Sequence, residues 1–329
     1  MPDLLILSQA EVASLLDRDR LLEAVASAMA DLSAGKVSMP QRNAALVTER
    51  DALLAAMPAF LPSANVLETK LVSVFPLNTD VPSHQAVIVV FDPATGTPAA
   101  LMDAAYITAT RTAAGSALST KLLAREDAKV LAILGTGVQA RSHALAVTRV
   151  RTFTEVRIAG PHEDKAKALA AELKGQVKAT VRAVASFGEA VRGADVVCAT
   201  THPHDPVVRR EDLADGVHVT SVGFATDGRE VDAATVRDAL VVVESRAAAL
   251  AAPPAGCNDL LWAIRDGAIT ADHIATEIGE LVAGTRPGRT SPSQITLYKS
   301  VGVAVQDAAA AALVLAAARE RGIGRTVTI

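Results

Sequence analysis

Apolar residues recur at helical spacing through residues 9–34, with Leu15, Leu22, Val25, Ala26 and Met29 on one side, and Gly35 ends the run. Segments 44–47, 53–59, 66–75 and 86–91 are short, rich in β-formers and bounded by Pro, Asn or Asp, so they predict strands. The stretch "FDPATGTPAAL" (91–101) predicts a strand, a turn at Pro93–Gly96 and a returning strand. Together these predict an antiparallel sheet packed on helices. From residue 129 the rhythm changes. Apolar strands at 129–135, 155–160, 178–185, 195–201, 216–223 and 238–245 alternate with helices at 137–149, 163–174 and 186–194. Strands that are apolar throughout, interleaved with amphipathic helices, mean an α/β fold whose parallel sheet is covered on both faces. The Ala-rich segment 301–324 predicts a buried helix ending at Gly322, and Gln306 and Asp307 interrupt it too much for a membrane span.

Composition narrows the functional classes. A chain of 329 residues suits about two domains of ~150 residues. Half the residues are hydrophobic and 21% charged, enough for a large core. Aromatics are only 3% and the net charge is −4, which argues against base stacking and against nucleic acid as a partner. Two cysteines, Cys198 and Cys257, make no disulfide framework and point to a reduced, cytoplasmic protein. The opening "MPDLLILSQAEV" lacks the basic region of a signal peptide.

The strongest motif is Gly135-Thr136-Gly137-Val138-Gln139-Ala140, a G-x-G-x-x-A pattern after a strand and opening a helix. Gly135 allows the tight turn, Gly137 lets backbone approach a pyrophosphate, and Ala140 lets helix and strand pack closely. The helix N-terminus stabilises the phosphate charge. The pattern predicts a dinucleotide, NADP or NAD. An NAD site usually carries an acid at the end of the second strand. Here Gly160, Pro161 and His162 stand there, and Glu163 and Asp164 belong to the following helix start. His162 and Lys165 either meet a 2′-phosphate or are solvated surface residues; the missing acid favours NADP.

Several long stretches carry a family resemblance: "KLVSVFPLN" (70–78), "ITATRTAAGSALST" (107–120), "LAILGTGVQARSHALA" (131–146), "DVVCATT" (195–201), "GELVAGTRPGRTSPSQITLYKSVGVAVQDAAAA" (279–311) and the closing "GIG". In these the chain resembles the ornithine cyclodeaminase/mu-crystallin family along essentially its whole length. The resemblance implies a Rossmann doubly wound sheet inserted into an α+β dimerisation and substrate domain. It places that outer domain at 1–122 plus 300–329 and the NAD(P)-binding domain at 123–299. It also implies a homodimer acting on a small amino-acid or imino-acid substrate, with no metal.

Lys70 sits in an otherwise apolar strand, a costly place unless it is paired or at a cleft. It is either an edge residue reaching water or, by its match to the family motif, the catalytic lysine, with a pKa lowered by desolvation. Arg42 and Arg111 read as surface ion pairs or as a bidentate clamp on an α-carboxylate; the resemblance implies the clamp. His84 is a loop histidine or lies at the site mouth. His202 and His204 form an H-x-H too weak to imply a metal. The expected cofactor contacts are Thr112, the 135–139 loop, His162, Thr200, Thr201, Val222, Ser300 and Val301.

Cyclodeaminases resemble one another in a strand and turn reading V-G-A-D-x-P-G-K-x-E-L. Aligned on Gly223 and Gly228, with Glu230 one place before the family Glu, this chain has Phe224-Ala225 where Ala-Asp would stand, followed by Thr226 and then Asp227. The acid is therefore absent, unless Asp227 replaces it from another point of the turn. The residues present suffice for reducing a preformed imine: hydride delivery, carboxylate clamping and one proton donor. The expected activity is NAD(P)H-dependent reduction of an α-imino acid, either a cyclic ketimine or a 2-oxo acid plus amine, to an L-amino acid. The alternatives are an ornithine cyclodeaminase retaining bound NAD, and a non-catalytic small-ligand binder.

Overall fold

A computed structural model describes residues 3–225 and 227–329. The chain forms two compact units, Met1–Arg111 with Val303–Ile329, and Thr112–Gly302. The first border lies inside a long helix, Ala105–Leu123; the family resemblance places the domain border at 122–123, at the end of the same helix. That helix is buried at every position from 107 to 120, so its pattern has no polar face to mark an end.

The first unit contains β1 (Asp3–Leu7), α1 (Gln9–Leu15), α2 (Arg18–Ser33), β2 (Asn43–Val47), β3 (Ala52–Leu61), β4 (Val66–Val74), β5 (His84–Phe91) and β6 (Pro98–Asp103). The first part of α3 (Ala105–Leu123) also belongs to it. The single helix expected at 9–34 is two helices. Asp17 accepts hydrogen bonds from the backbone N–H groups of Asp19 and Arg20 and so starts α2 afresh.

After the second unit come α11 (Ala304–Arg321), which ends at left-handed Gly322, and β15 (Arg325–Thr328). Seven strands run in the order β15-β1-β6-β5-β4-β3-β2, all antiparallel except the β1–β6 pair. Helix α11 packs on β3, β4 and α2. Its small side chains, Ala308 to Ala311, are all buried and permit close approach.

The second unit runs β7 (Val130–Leu134), α4 (Val138–Val147), β8 (Glu155–Ala159), α5 (Glu163–Leu173), β9 (Thr180–Ala183), α6 (Phe187–Val191), β10 (Val196–Ala199) and β11 (His218–Ser221). It continues with α7 (Ala233–Asp238), β12 (Leu240–Val243), α8 (Arg246–Ala249), α9 (Asn258–Arg265), β13 (Thr276–Glu277), α10 (Ile278–Val282) and β14 (Thr296–Lys299). Its eight strands are all parallel, in the order β13-β12-β14-β11-β10-β7-β8-β9. The order reverses beside β7, whose C-terminal end is the topological switch point where an open parallel sheet binds ligands. The expected doubly wound Rossmann architecture is present. Among the described residues no helix is long and apolar enough to cross a membrane.

Candidate active site

In the first unit, the alternation of β4 turns Glu68, Lys70 and Val72 to the face covered by α11. Lys70 is 1% exposed, and its Nζ donates to Asp307 Oδ2 at 2.6 Å. The Nε of Arg111 donates to the other oxygen of the same carboxylate at 2.9 Å, and Arg111 Nη1 donates to Gln306 Oε1 at 3.0 Å. One buried carboxylate thus bridges two buried cations. Burial pulls the Lys70 ammonium down to about 8; Asp307 opposes the shift, while Arg111 and half-buried Arg42 add to it. Burial raises Asp307, but Arg111 and Lys70 outweigh it and hold the carboxyl below its usual range. His84, at the start of β5, is lowered to about 4 by burial and by Lys70 and Arg111, so its ring is neutral.

Asp307 and Gln306 take part in this cluster although the sequence offers them only as interruptions of an apolar helix. Two adjacent polar residues near the start of a helix that is otherwise apolar up to Ala318 are the signal that was there. Glu68, 1% exposed, is a third residue missed; its place two positions before Lys70 on one strand face was readable from the alternation.

In the second unit, Gly135 has φ +121°, and a Cβ there would lie 2.6 Å from Thr200 Oγ1 and 2.9 Å from Thr200 O. Gly137 caps α4 with no side-chain hydrogen bond and is solvent-exposed, so the first-turn N–H groups are free for an anion. Val138 is 69% exposed at this tip, while Ala140 is fully buried against the sheet. The loop fits a dinucleotide pyrophosphate on these observations. At the end of β8, Gly160 and Pro161 lead to His162, the exposed N-cap of α5, with Glu163 and Asp164 in the first helical turn.

A run of hydrogen bonds fixes this loop's helix to α3. Thr220 Oγ1 donates to Ser116 Oγ at 2.6 Å, Ser116 lies 2.9 Å from His143 Nε2, and His143 Nδ1 lies 2.7 Å from Gln139 O. Since a carbonyl only accepts, His143 carries its proton on Nδ1 and Nε2 accepts from Ser116. Burial keeps this ring neutral, lowering it to about 4.

Other residues expected at the cofactor spend their polar groups on the protein. Thr200 Oγ1 donates to Leu134 O at 2.8 Å. Both the N–H and the hydroxyl of Thr201 donate to Glu230 Oε1, while Ser221 Oγ and Gly223 N donate to Glu230 Oε2. Ser300 Oγ and Val301 N donate to Glu244, as does Gly302 N. Thr112 is buried on α3 and Val222 half-buried after β11. Asp227 is exposed, and Thr226 lies outside the described residues.

The turn that raised the question of a missing acid is clamped from below. Lys299, fully buried, pairs with Asp259 at 2.9 Å and donates to Ser221 Oγ and Gly223 O. A Cβ on Gly223 would meet Thr201 O at 2.2 Å. His202 and His204 are exposed, and among the described residues no group of His, Cys, Asp and Glu could hold a metal.

Comparison with known proteins follows the same lines. The model of the ornithine cyclodeaminase/mu-crystallin family matches residues 3–322. Ketimine reductase mu-crystallin of Mus musculus is 38% identical over 300 residues, 89% of this chain and 90% of that protein. Delta(1)-pyrroline-2-carboxylate reductase of Bacillus cereus is 33% identical over 328 residues, 98% of this chain and 99% of that protein. The solved structure of Thermococcus litoralis Delta(1)-pyrroline-2-carboxylate reductase with NADH and L-proline superposes with a TM-score of 0.94 at 36% identity. It covers 98% of this chain and 100% of that one. A match of this extent, over both the buried lysine cluster and the glycine loop, makes this chain a member of the ornithine cyclodeaminase/mu-crystallin family.

Proposed function

We propose that this protein is an NAD(P)H-dependent oxidoreductase that reduces an α-imino acid, a cyclic ketimine carboxylate or the imine of a 2-oxo acid and an amine, to an L-amino acid. The observation that carries the reading is the buried Lys70–Asp307–Arg111 cluster. A lysine lowered to about 8 is still largely protonated at neutral pH, yet gives up its proton far more readily than a solvated one. The relatives' names, ketimine reductase and pyrroline-2-carboxylate reductase, support the same reaction class.

The nicotinamide, when bound, supplies the hydride for the imine carbon. Lys70 donates a proton to the imine nitrogen, and Asp307 holds its ammonium in place through the 2.6 Å bond. Arg111 commits Nε and Nη1 to Asp307 and Gln306, which leaves Nη2 for the substrate carboxylate, with Arg42 as the second clamp. On this reading Arg111 contributes one nitrogen of a guanidinium held by Asp307 and Gln306. Gly135, Gly137 and the start of α4 take the pyrophosphate. Thr112, Thr136, Val138, Gln139, Thr200, Thr201, Val222, Ser300 and Val301 shape the surroundings of the cofactor. Asp227 is a reserve acid whose exposure argues for a minor part.

The acid-free end of β8, with exposed His162 and Lys165 nearby, favours NADP over NAD. The domain roles follow, with substrate and dimer functions in the outer unit. The face of the seven-stranded sheet opposite α11 carries Leu54, Leu71 and Val87; Leu54 is 49% and Val87 39% exposed. An apolar sheet face of this kind suits a homodimer. Two buried free thiols fit a reducing, cytoplasmic setting.

The test follows nicotinamide absorbance with NADPH, then NADH, against cyclic ketimine carboxylates and against pyruvate or glyoxylate with simple amines. Turnover by the wild type, lost in Lys70→Ala with coenzyme binding retained, is the expected result. No oxidation of either coenzyme across the panel would overturn the reading.

A further inference from the structure

Glu68 stands apart from the residues assigned so far. It lies two positions before Lys70 on the same face of β4, one strand repeat or roughly 7 Å along the chain. It is 1% exposed, and neither carboxyl oxygen has a hydrogen-bond partner among the described residues. Its cross-strand neighbours are Ala59 on β3 and Val90 on β5, both apolar and buried. The charged groups that face it are Lys70 on its own strand, Arg111 on α3 and Asp307 on α11.

A buried carboxyl with no partner is rare, and such a group calls for an explanation. Ionised, it would sit in an apolar wall with no N–H to stabilise it, beside a second carboxylate already bonded to both nearby cations. Burial and Asp307 both push its pKa well above the usual carboxyl value, against the weaker pull of Lys70 and Arg111. Burial without a hydrogen-bond partner thus favours the uncharged acid form of Glu68. It holds one proton next to the only lysine of the cluster.

We infer that Glu68 is a positioning residue of the reaction centre that acts through Lys70, as the store from which the proton given up by Lys70 is replaced. This rests on the imine-reductase reading. Once Lys70 has protonated the substrate nitrogen, the pair consists of a neutral amine and a neutral carboxylic acid. The acid O–H bond breaks and a lysine N–H bond forms, leaving carboxylate and ammonium; no electron changes hands. With their backbone positions about one strand repeat apart, the two groups exchange through a flexing of the lysine chain or through one water. The carboxylate then recovers its proton from solvent as product leaves.

The test is Glu68→Gln, which keeps size and neutrality but has no transferable proton. Two readouts are taken. First, infrared difference spectroscopy of the wild-type protein without substrate should show the carbonyl stretch of a buried protonated carboxylic acid that Glu68→Gln lacks. This readout is independent of which reaction the protein performs. Second, steady-state kinetics of imine reduction should show kcat falling roughly tenfold or more, with a raised solvent deuterium isotope effect and KM little changed. Glu68→Asp, which keeps the acid, should recover part of kcat. If the wild type turns over and Glu68→Gln matches it in kcat and isotope effect, the inference is overturned while the proposed activity stands. Loss of no carboxylic acid band would mean that Glu68 is ionised and would overturn it as well. A wild type without imine reductase activity would instead remove the reading beneath it, whatever the infrared result. Should Glu68→Gln fold poorly, the wild-type band and the Glu68→Asp kinetics carry the same decision.

Discussion

Replacing Asp307 by Asn would test the electrostatic centre directly. The amide keeps the shape but removes the charge that two buried cations share, Lys70 at 2.6 Å and Arg111 at 2.9 Å. Breaking a buried pair while leaving its partner behind costs about 3–5 kcal/mol. Melting should accordingly fall by on the order of 10 °C.

Lys70 should respond as well. Asp307 is what holds its pKa up, by charge and by hydrogen bond, against burial, Arg111 and Arg42. In Asp307→Asn the lysine should therefore titrate below about 8, and each unit of further shift corresponds to about 1.4 kcal/mol. The sign follows from linkage. A lysine whose folded pKa lies below its unfolded value costs stability in full at low pH, and the cost fades as pH rises past the folded value. The variant's deficit should be large at pH 6 and smaller at pH 9, as read by urea titration. In the wild type, imine reduction should decline as pH rises through about 8, because the proton donor is lost, and in the variant that limb should move to lower pH. An alkaline limb that stays put, or a deficit under about 1 kcal/mol at pH 6, would refute the assignment of Asp307 as the shared counter-charge.

Two further substitutions probe the second unit. Gly135→Ala puts a methyl 2.6 Å from Thr200 Oγ1 at a backbone φ of +121°; coenzyme affinity, read by quenching or fluorescence titration, should drop at least about tenfold, with a stability loss of about 1–3 kcal/mol. Unchanged coenzyme affinity would contradict the loop's place at the pyrophosphate. Glu230→Gln removes a carboxylate that accepts from the backbone and hydroxyl of Thr201, from Ser221 and from Gly223; a loss of about 2–3 kcal/mol and faster proteolysis within 222–229 are expected. Wild-type melting and proteolysis would show that the turn is held otherwise.

How much could be read from the chain depended on whether the signal was local. The glycine loop could be read because its chemistry is local: strand, turn and helix start lie within ten residues, and Gly135 answers a steric need set by Thr200, just past the adjacent strand. Six of the eight parallel strands were legible for the same reason, since a strand buried on both faces is apolar along its length; β13 and β14 were not, because both are short and β14 carries Thr296, Tyr298 and Lys299. Lys70 stood out because a charge in an apolar strand is an anomaly wherever the chain folds. Its partner did not. Asp307 is 237 residues away, on a helix that returns to the first unit after the whole nucleotide-binding unit, and no periodicity links the two. Glu230 and Glu244 were invisible as anchors because carboxylates that accept backbone N–H groups depend on loop paths and not on residue type.

The border inside α3 was hidden too, because a helix buried all round carries no mark of where one unit ends. The sequence by itself determined the local chemistry: a glycine turn for phosphate, a lysine that must find a counter-charge, and a sheet of a given kind. Only the tertiary structure decided which carboxylate meets that lysine, which stays unpartnered beside it, and which residues hold the turn after β11, because such pairings are set by the packing of distant elements against a common core.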